Sequence, residues 1–156
     1  MFTKTFIAAF VLLGVAGWPG DGRPDFSGEW ILNRQASTLS RFADAVQSGI
    51  WQIEHRDSIF RHKATLVTGG KPFSYEYELA SDGREVVASQ RGARVVSTLR
   101  WEGNTLVFRS RTERSDGESR ISFRYDLTDA GRRLRATEQV RGTDHDQDNA
   151  WVFDRR

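Results

Sequence analysis

The feature that most constrains this chain is an alternation of apolar and polar residues that runs from Pro24 to the C-terminus. Such alternation places every second side chain on one face of a β-strand, so that one face is buried and the other meets water. Glycine-containing pairs interrupt the alternation as hairpin turns do. The pattern predicts an all-β domain whose strands occupy residues 26–32, 50–55, 58–67, 72–79, 84–91, 94–101, 104–113, 118–127, 132–141 and 149–154.

The hairpin turns predict which residues lie opposite one another in this sheet. Two-residue turns are expected at Arg56-Asp57, Gly69-Gly70, Asp82-Gly83, Gly92-Ala93, Glu102-Gly103 and Asp116-Gly117, and a longer turn at 129–131. One face then carries an apolar row made of Ile53, Phe60, Leu79, Val86, Leu99, Leu106, Leu127 and Leu134. A meander of about ten strands with one buried face closes most readily into an antiparallel up-and-down barrel, because closure removes the free edges.

A short helical lid is predicted between the first two strands, because residues 37–48 carry apolar side chains at helical spacing. This segment and the loop 142–148 lie at the end of the barrel away from the apolar row, which makes that end the mouth. The first strand begins and the last strand finishes at the opposite, closed end. Trp30 is therefore expected to stack there on Arg155 or Arg156 through a cation–π contact.

The N-terminus predicts export. In residues 1–17 a lysine precedes a short apolar run and small residues, as in a secretory signal peptide. Residues 18–24 follow as a linker, and residues 25–156 are expected to form the barrel domain. The apolar run is shorter than the roughly 20 residues of a membrane-spanning helix. The mature form is thus expected to lack a transmembrane segment and to be periplasmic or secreted, with an uncleaved anchor as the alternative.

Composition excludes several classes of function. A chain of 156 residues with 38% hydrophobic residues suits one soluble domain. The 23 basic and 21 acidic residues nearly cancel, so no nucleic-acid partner is indicated. The absence of cysteine excludes disulfides and thiolate chemistry. Outward arginines on strands 104–141 indicate either a solvated face or a surface for peripheral contact with an anionic envelope.

The inner face is expected to change from the apolar row to a chamber of aromatic and polar side chains near the mouth. Glu138 is expected among aromatic residues there, either as a functional carboxylate or paired with Gln90 or Ser110. His62 is expected to meet a ligand, or else to hydrogen-bond with Tyr77 or water. The predicted ligand-binding residues are Trp51, His62, Tyr75, Tyr77, Ser97, Phe108, Ser110, Phe123, Tyr125 and Glu138.

Three segments resemble the calycin superfamily. Gly28-Glu29-Trp30 resembles the G-x-W motif of lipocalins, and a terminal arginine resembles the residue that packs on that tryptophan. One strand, a helical segment and nine further strands are similar to the layout of fatty-acid-binding proteins. Residues 25–33 and 101–107 also resemble exported bacterial lipocalin-like proteins of unknown role. The resemblance covers about residues 25–156 and implies a barrel that holds small, mostly apolar molecules.

The chain departs from that pattern at the polar end of the ligand. Fatty-acid-binding proteins hold the ligand carboxylate with inward arginines and a tyrosine, whereas here nearly every mid-strand arginine is expected to face outward. Tyr125 matches that set only loosely, and Glu138 is expected inside. A buried carboxylate needs a donor or a cation. A neutral, hydroxylated or basic ligand is therefore expected rather than a fatty-acid carboxylate.

Three functions remain open from the sequence. The first is an exported barrel that binds or carries a small hydrophobic molecule and needs no cofactor or metal. The alternative is an isomerase, cyclase or hydratase in which Glu138 or His62 is catalytic and moves a proton. A further alternative is an envelope interaction protein with a fully packed interior. Haem on His62 or His145, or a divalent ion on the acidic loop 142–148, lacks a supporting motif.

Overall fold

The computed structural model describes residues 22–142 and 146–156, and the predicted signal peptide 1–17 lies outside the described residues. Within the described residues, ten strands form a single antiparallel sheet, with one short α-helix after the first strand and a 3-10 turn at Asp129–Gly131. The elements are β1 (Gly28–Leu32), α1 (Arg41–Asp44), β2 (Val46–Arg56), β3 (Ile59–Thr68), β4 (Lys71–Ala80), β5 (Val86–Gln90), β6 (Ala93–Glu102), β7 (Thr105–Arg114), β8 (Gly117–Thr128), β9 (Arg133–Arg141) and β10 (Gln147–Arg155). The predicted all-β meander with a helix between its first two strands is confirmed.

The sheet curls into a nearly closed barrel. Its strand order is β4-β3-β2-β1-β10-β9-β8-β7-β6-β5, so β1 pairs with β10 and the sheet ends at β4 and β5. Near the closed end, the Asp82↔Arg100 bridge and the hydrogen bond from Gly83 N to Leu99 O (2.8 Å) join the segment that follows β4 to β6, the strand next to the β5 edge. The predicted pairing of Leu79 with Val86 is wrong, and the latter side chain is 47% exposed at a lateral opening between β4 and β5.

The predicted register is right at two turns and shifted by two residues at four others. Thr68 pairs with Lys71 around Gly69-Gly70, and Leu127 pairs with Leu134, as predicted. The observed turns elsewhere are Asp57-Ser58, Arg91-Gly92, Gly103-Asn104 and Ser115-Asp116. Moving a two-residue turn by one position shifts the pairing by two residues and leaves every side chain on its original face. The predicted apolar row is therefore staggered, although its members face inward.

The turn between β5 and β6 is shifted because of the backbone angles that a two-residue hairpin requires. A type I′ hairpin needs positive φ at both central residues, which favours glycine at the second of them. Arg91 (φ 50°) and Gly92 (φ 79°) satisfy this requirement. The predicted turn at Gly92-Ala93 would have put an alanine in the left-handed region, and Ala93 instead pairs with Gln90 as a buried strand residue.

The closed end is sealed as the sequence predicts. Trp30 is fully buried, and its indole Nε1 donates to Phe26 O at 2.9 Å. The guanidinium carbon of Arg155 lies 4.2 Å from the centre of that indole ring. Arg155 also donates to the carbonyl oxygens of Gly131 (2.9 Å) and Ser27 (2.5 Å), which fixes it over the ring.

The helix is shorter than the predicted segment 37–48, because residues 37–40 form hydrogen bonds with β10 instead. Ser37 Oγ accepts from Val152 N at 2.9 Å, and Ser40 N donates to Asn149 Oδ1 at 2.7 Å. The side chain of Ser40 therefore bonds to β10 rather than capping α1. Strand β2 then begins at once with the buried Val46. The helix lies at the mouth, as expected.

Candidate functional site

Six of the predicted ligand-binding side chains pack against one another inside the barrel. This aromatic cluster consists of Trp51, His62, Tyr77, Phe108, Phe123 and Tyr125. The Trp51 and His62 rings meet edge to face with centroids 4.7 Å apart, and Tyr77 stacks on Phe108 at 5.0 Å. The hydroxyls of Tyr77 and Tyr125 share a hydrogen bond of 3.0 Å across the interior. The expected chamber is therefore largely filled by its own side chains at this level.

His62 is a neutral histidine in an apolar setting. Its side chain is 1% exposed, and neither ring nitrogen has a hydrogen-bond partner in the described part of the chain. Burial lowers the pKa of His62 to about 3, because the charged imidazolium would lose its hydration. The expected hydrogen bond to Tyr77 does not form, since that hydroxyl pairs with Tyr125.

Of the remaining polar members of the predicted set, Tyr75 adjoins this cluster, with its ring centroid 5.8 Å from that of His62. Ser97 Oγ donates to Ser110 Oγ at 3.1 Å across β6 and β7, and both serines are half-buried. Tyr75 is 39% exposed beside the lateral opening. Burial around its hydroxyl, followed by the charges of Tyr77 and Glu138, raises the pKa of Tyr75.

Glu138 is held in place by β10. Its Oε2 accepts from Asn149 Nδ2 at 2.9 Å and from the indole Nε1 of Trp151 at 2.8 Å. The predicted partners Gln90 and Ser110 are wrong, because Glu138 lies directly opposite Asn149 in the β9–β10 pairing. Among the described residues, both hydrogen bonds to the carboxylate end at Oε2, which leaves Oε1 for a bound molecule.

A pocket of about 460 Å³ opens between α1 and the mouth ends of β3, β4, β9 and β10. We call it the mouth pocket, and its lining residues are Phe42, Ala43, Ala45, Val46, Leu66, Thr68, Phe73, Glu138, Gln147 and Trp151. Glu138 is the one charged residue in this apolar lining. Phe42 (61% exposed) and Phe73 (47% exposed) form its rim. Ligand sites of this kind combine apolar walls with a few placed polar groups.

Sequence reasoning missed most of this pocket. The sequence did not identify Asn149 and Trp151 as partners of Glu138, because the loop before β10 leaves the pairing of β9 with β10 unspecified. The alternation of Trp151 and Phe153 on β10 was the signal available for finding them. The structure does not bring His62 into the mouth pocket, so the two proposed proton-transfer residues do not line one common site.

The inner face is poor in positive charge. By strand alternation, Arg155 at the closed end and Lys71 and Arg114 at the mouth hairpins are the inward cations among the described strands. The first of these stacks on Trp30, and the other two lie beside the turns. No cation from the middle of a described strand reaches the mouth pocket.

Comparison with known proteins identifies the fold. No family model and no curated protein matches this chain. A secretory abundant heat soluble protein from Ramazzottius varieornatus is similar in structure, with 11% identity over 83% of this chain and 94% of that one and a TM-score of 0.58. A variant of the fluorescent protein UnaG has 16% identity over 84% and 96% of the chains and a TM-score of 0.52. A variant of the REP1-NXSQ fatty acid transporter has 16% identity over 84% and 98% and a TM-score of 0.50.

These neighbours are calycin-like β-barrels, so the chain has the fold that the G-x-W resemblance implies. The identities are low enough that the likeness concerns the fold alone. Within the described residues, no helix is long and apolar enough to cross a bilayer.

Proposed function

We propose that this calycin-like barrel binds a small, mostly apolar molecule in the mouth pocket, with a neutral or basic polar end at Glu138. The observation that carries the proposal is the lone carboxylate in an apolar pocket, held by Asn149 and Trp151 through one oxygen. The second oxygen is available to accept a hydrogen bond from an amine, an amidine or a hydroxyl. The apolar walls would receive the body of the ligand.

Electrostatics favours that ligand class over a fatty acid. A ligand carboxylate near Glu138 would meet a like charge, and none of the described residues that line the mouth pocket is a cation that could offset it. Burying an unpaired charge is unfavourable. An ammonium or hydroxyl in the same place would satisfy the free oxygen of Glu138. A hydrogen bond to a charged group contributes roughly 1.5–3 kcal/mol, enough to discriminate between head groups on the same chain.

The fatty acid transporter among the structural neighbours supports ligand binding in a barrel of this type. The aromatic cluster fills the middle, so the ligand would lie above it, between α1 and the rim. Trp51, Tyr77 and Tyr125 would then form the base of the site, and the ligand body would extend toward Tyr75 and the lateral opening.

Glu138→Gln is expected to weaken the head-group preference. Oleylamine should bind the wild type at least tenfold more tightly than oleate, and the substitution should reduce this ratio to about threefold or less, because it removes the charge and retains the shape. Binding is followed by tryptophan fluorescence, since Trp151 donates to the substituted carboxylate.

Glu76→Gln provides the matched control, because Glu76 is exposed on the outer face of β4 and the same charge is removed. The control should retain the wild-type ratio. Equal binding of oleylamine and oleate by the wild type would contradict a role for Glu138 in head-group recognition.

The filled interior favours a second candidate, an interaction protein with no small ligand. Rings from facing walls meet at van der Waals distance, as Tyr77 and Phe108 do. The same titration distinguishes the two candidates: saturable binding that Phe73→Asp abolishes supports a ligand site at the rim, and no saturable binding of any lipid supports the packed protein.

We also propose that the protein is exported, as residues 1–17 predict. Mass spectrometry of the protein recovered from the periplasm or culture medium should give a mass that corresponds to cleavage close to residue 17. Replacing the apolar run by polar residues should leave the precursor in the cytoplasm. Recovery of the intact precursor from the membrane fraction would instead support an anchor.

A further inference from the structure

The outer face of β6–β9 carries four arginines around one surface groove of about 440 Å³. Eight of the lining residues occupy two adjacent rows across the four strands, and the two rows contain no carboxylate. The first row is Val96, Arg111, Arg120 and Arg141, and the second is Thr98, Arg109, Ser122 and Gln139. We call this the arginine groove.

The first row places like charges directly opposite one another. Arg111 pairs with Arg120 across β7 and β8, and Arg120 pairs with Arg141 across β8 and β9. Directly opposed like charges destabilise a sheet. Both pairs share Arg120, so three guanidinium groups lie in one row across β7, β8 and β9.

Neighbouring acids pair with all four arginines of the groove but do not balance their charge, because Glu102 and Glu118 are each shared between arginines. Glu102 is shared by Arg100, Arg109 and Arg124. Glu118 is shared by Arg111 and Arg120, and Asp148 meets Arg141 at 2.7 Å. These carboxylates lie outside the two rows, and Glu85 is the one acid among the residues that line the groove.

One guanidinium in the groove is incompletely satisfied. Arg111 Nε is buried and has no hydrogen-bond partner among the described residues, although Glu113 Oε1 lies 3.0 Å away outside hydrogen-bond geometry. The side chains of Arg109, Arg120 and Arg141 are between 43% and 71% exposed, so a solute can reach their nitrogens. Ser122 and Gln139 add neutral donors at the same surface.

We propose that the arginine groove is a binding site for a compact multivalent oxyanion of the phosphate class. The planar forks of Arg111 and Arg120 bind such an anion through paired N–H donors, and the anion offsets the repulsion between the opposed guanidinium groups. Arg109 and Arg141 complete the ring of positive charge. The site is on the outer face and is independent of the mouth pocket.

Isothermal titration calorimetry with pyrophosphate at low ionic strength tests the site. The wild type should bind pyrophosphate saturably, and Arg120→Gln should weaken binding at least tenfold. Arg135→Gln should change it by less than twofold, because Arg135 is exposed on the outer face of β9 beyond the groove. Circular dichroism establishes that both variants fold. Equal weakening by both variants, or no saturable binding, overturns the proposal.

Vesicles distinguish a free oxyanion from a lipid head group. Vesicles of phosphatidylcholine with phosphatidic acid should sediment the wild type and leave Arg120→Gln in solution if the source is a lipid. Pyrophosphate binding without vesicle binding identifies a soluble oxyanion as the ligand of the same site. Vesicle binding that both arginine variants retain argues against the groove as the contact.

Discussion

Trp30→Ala is expected to lower the free energy of unfolding by about 3–5 kcal/mol, the range found when a buried tryptophan is truncated in a core. The indole is fully buried, donates to Phe26 O, and carries the guanidinium of Arg155 on its face. Its removal opens a cavity at the closed end and leaves that guanidinium without its aromatic support. Urea denaturation followed by circular dichroism gives the change.

Trp30→Phe separates burial from the polar contacts. Phenylalanine retains a ring under the guanidinium but loses the hydrogen bond to Phe26 O, so we expect a loss of roughly 1–2 kcal/mol. Trp30→Ala with stability within 1 kcal/mol of the wild type would contradict the role assigned to the closed end.

The second large effect is a loss of protein stability at acidic pH. His62 has a pKa of about 3 in the folded state and an ordinary value near 6.5 when unfolded. Below pH 6.5 the unfolded chain therefore binds a proton that the folded chain excludes. The contribution of neutral His62 to the free energy of unfolding is fully present above pH 6.5. It falls by about 1.4 kcal/mol per pH unit as the pH drops toward 3, roughly 4–5 kcal/mol in all.

His62→Phe should remove this loss, since phenylalanine has a similar volume and no charge. Unfolding free energies of the wild type and the variant, measured by urea denaturation from pH 7 to pH 4, should differ progressively as the pH falls. Carboxylates and His55 titrate in both proteins and cancel in the difference. Parallel curves would mean that the pKa of His62 is the same in the folded and unfolded states, which would contradict the effect assigned to its burial.

The strand faces were predictable from the sequence, and the exact pairings were not. Alternation assigns Ile53 and Leu106 to the interior whichever position the turn occupies, because the face repeats every second residue. The pairing depends on which two residues form the turn, and Asp57-Ser58 carries no glycine to mark it. Alternation likewise assigned Val86 to the inner face. It did not show that β5 is an edge strand, which pairs with β6 and not with β4.

The candidate site was predictable in part. Glu138 stood out as an acid on an apolar face, and the structure places it at the mouth as expected. Its hydrogen-bond donors, Asn149 and Trp151, could not be predicted, because the length of the loop 142–148 does not specify how β9 pairs with β10. Alternation assigned the aromatic residues to the interior correctly. It does not show whether inward rings leave a cavity between them or pack together, as Trp51 and Phe123 do with their ring centroids 6.2 Å apart.

The strand order also has a consequence for how the chain folds. Among the described strands, every ladder joins neighbours in the chain except that of β1 with β10, where Trp30 pairs with Arg155. Hairpins between neighbouring strands close short loops and form in microseconds, whereas a contact between distant residues must first overcome the entropy of closing a long loop. The pairing of β1 with β10, which spans three residue pairs, therefore contributes the longest-range strand contacts of the fold. We expect its formation to be the slow step of folding.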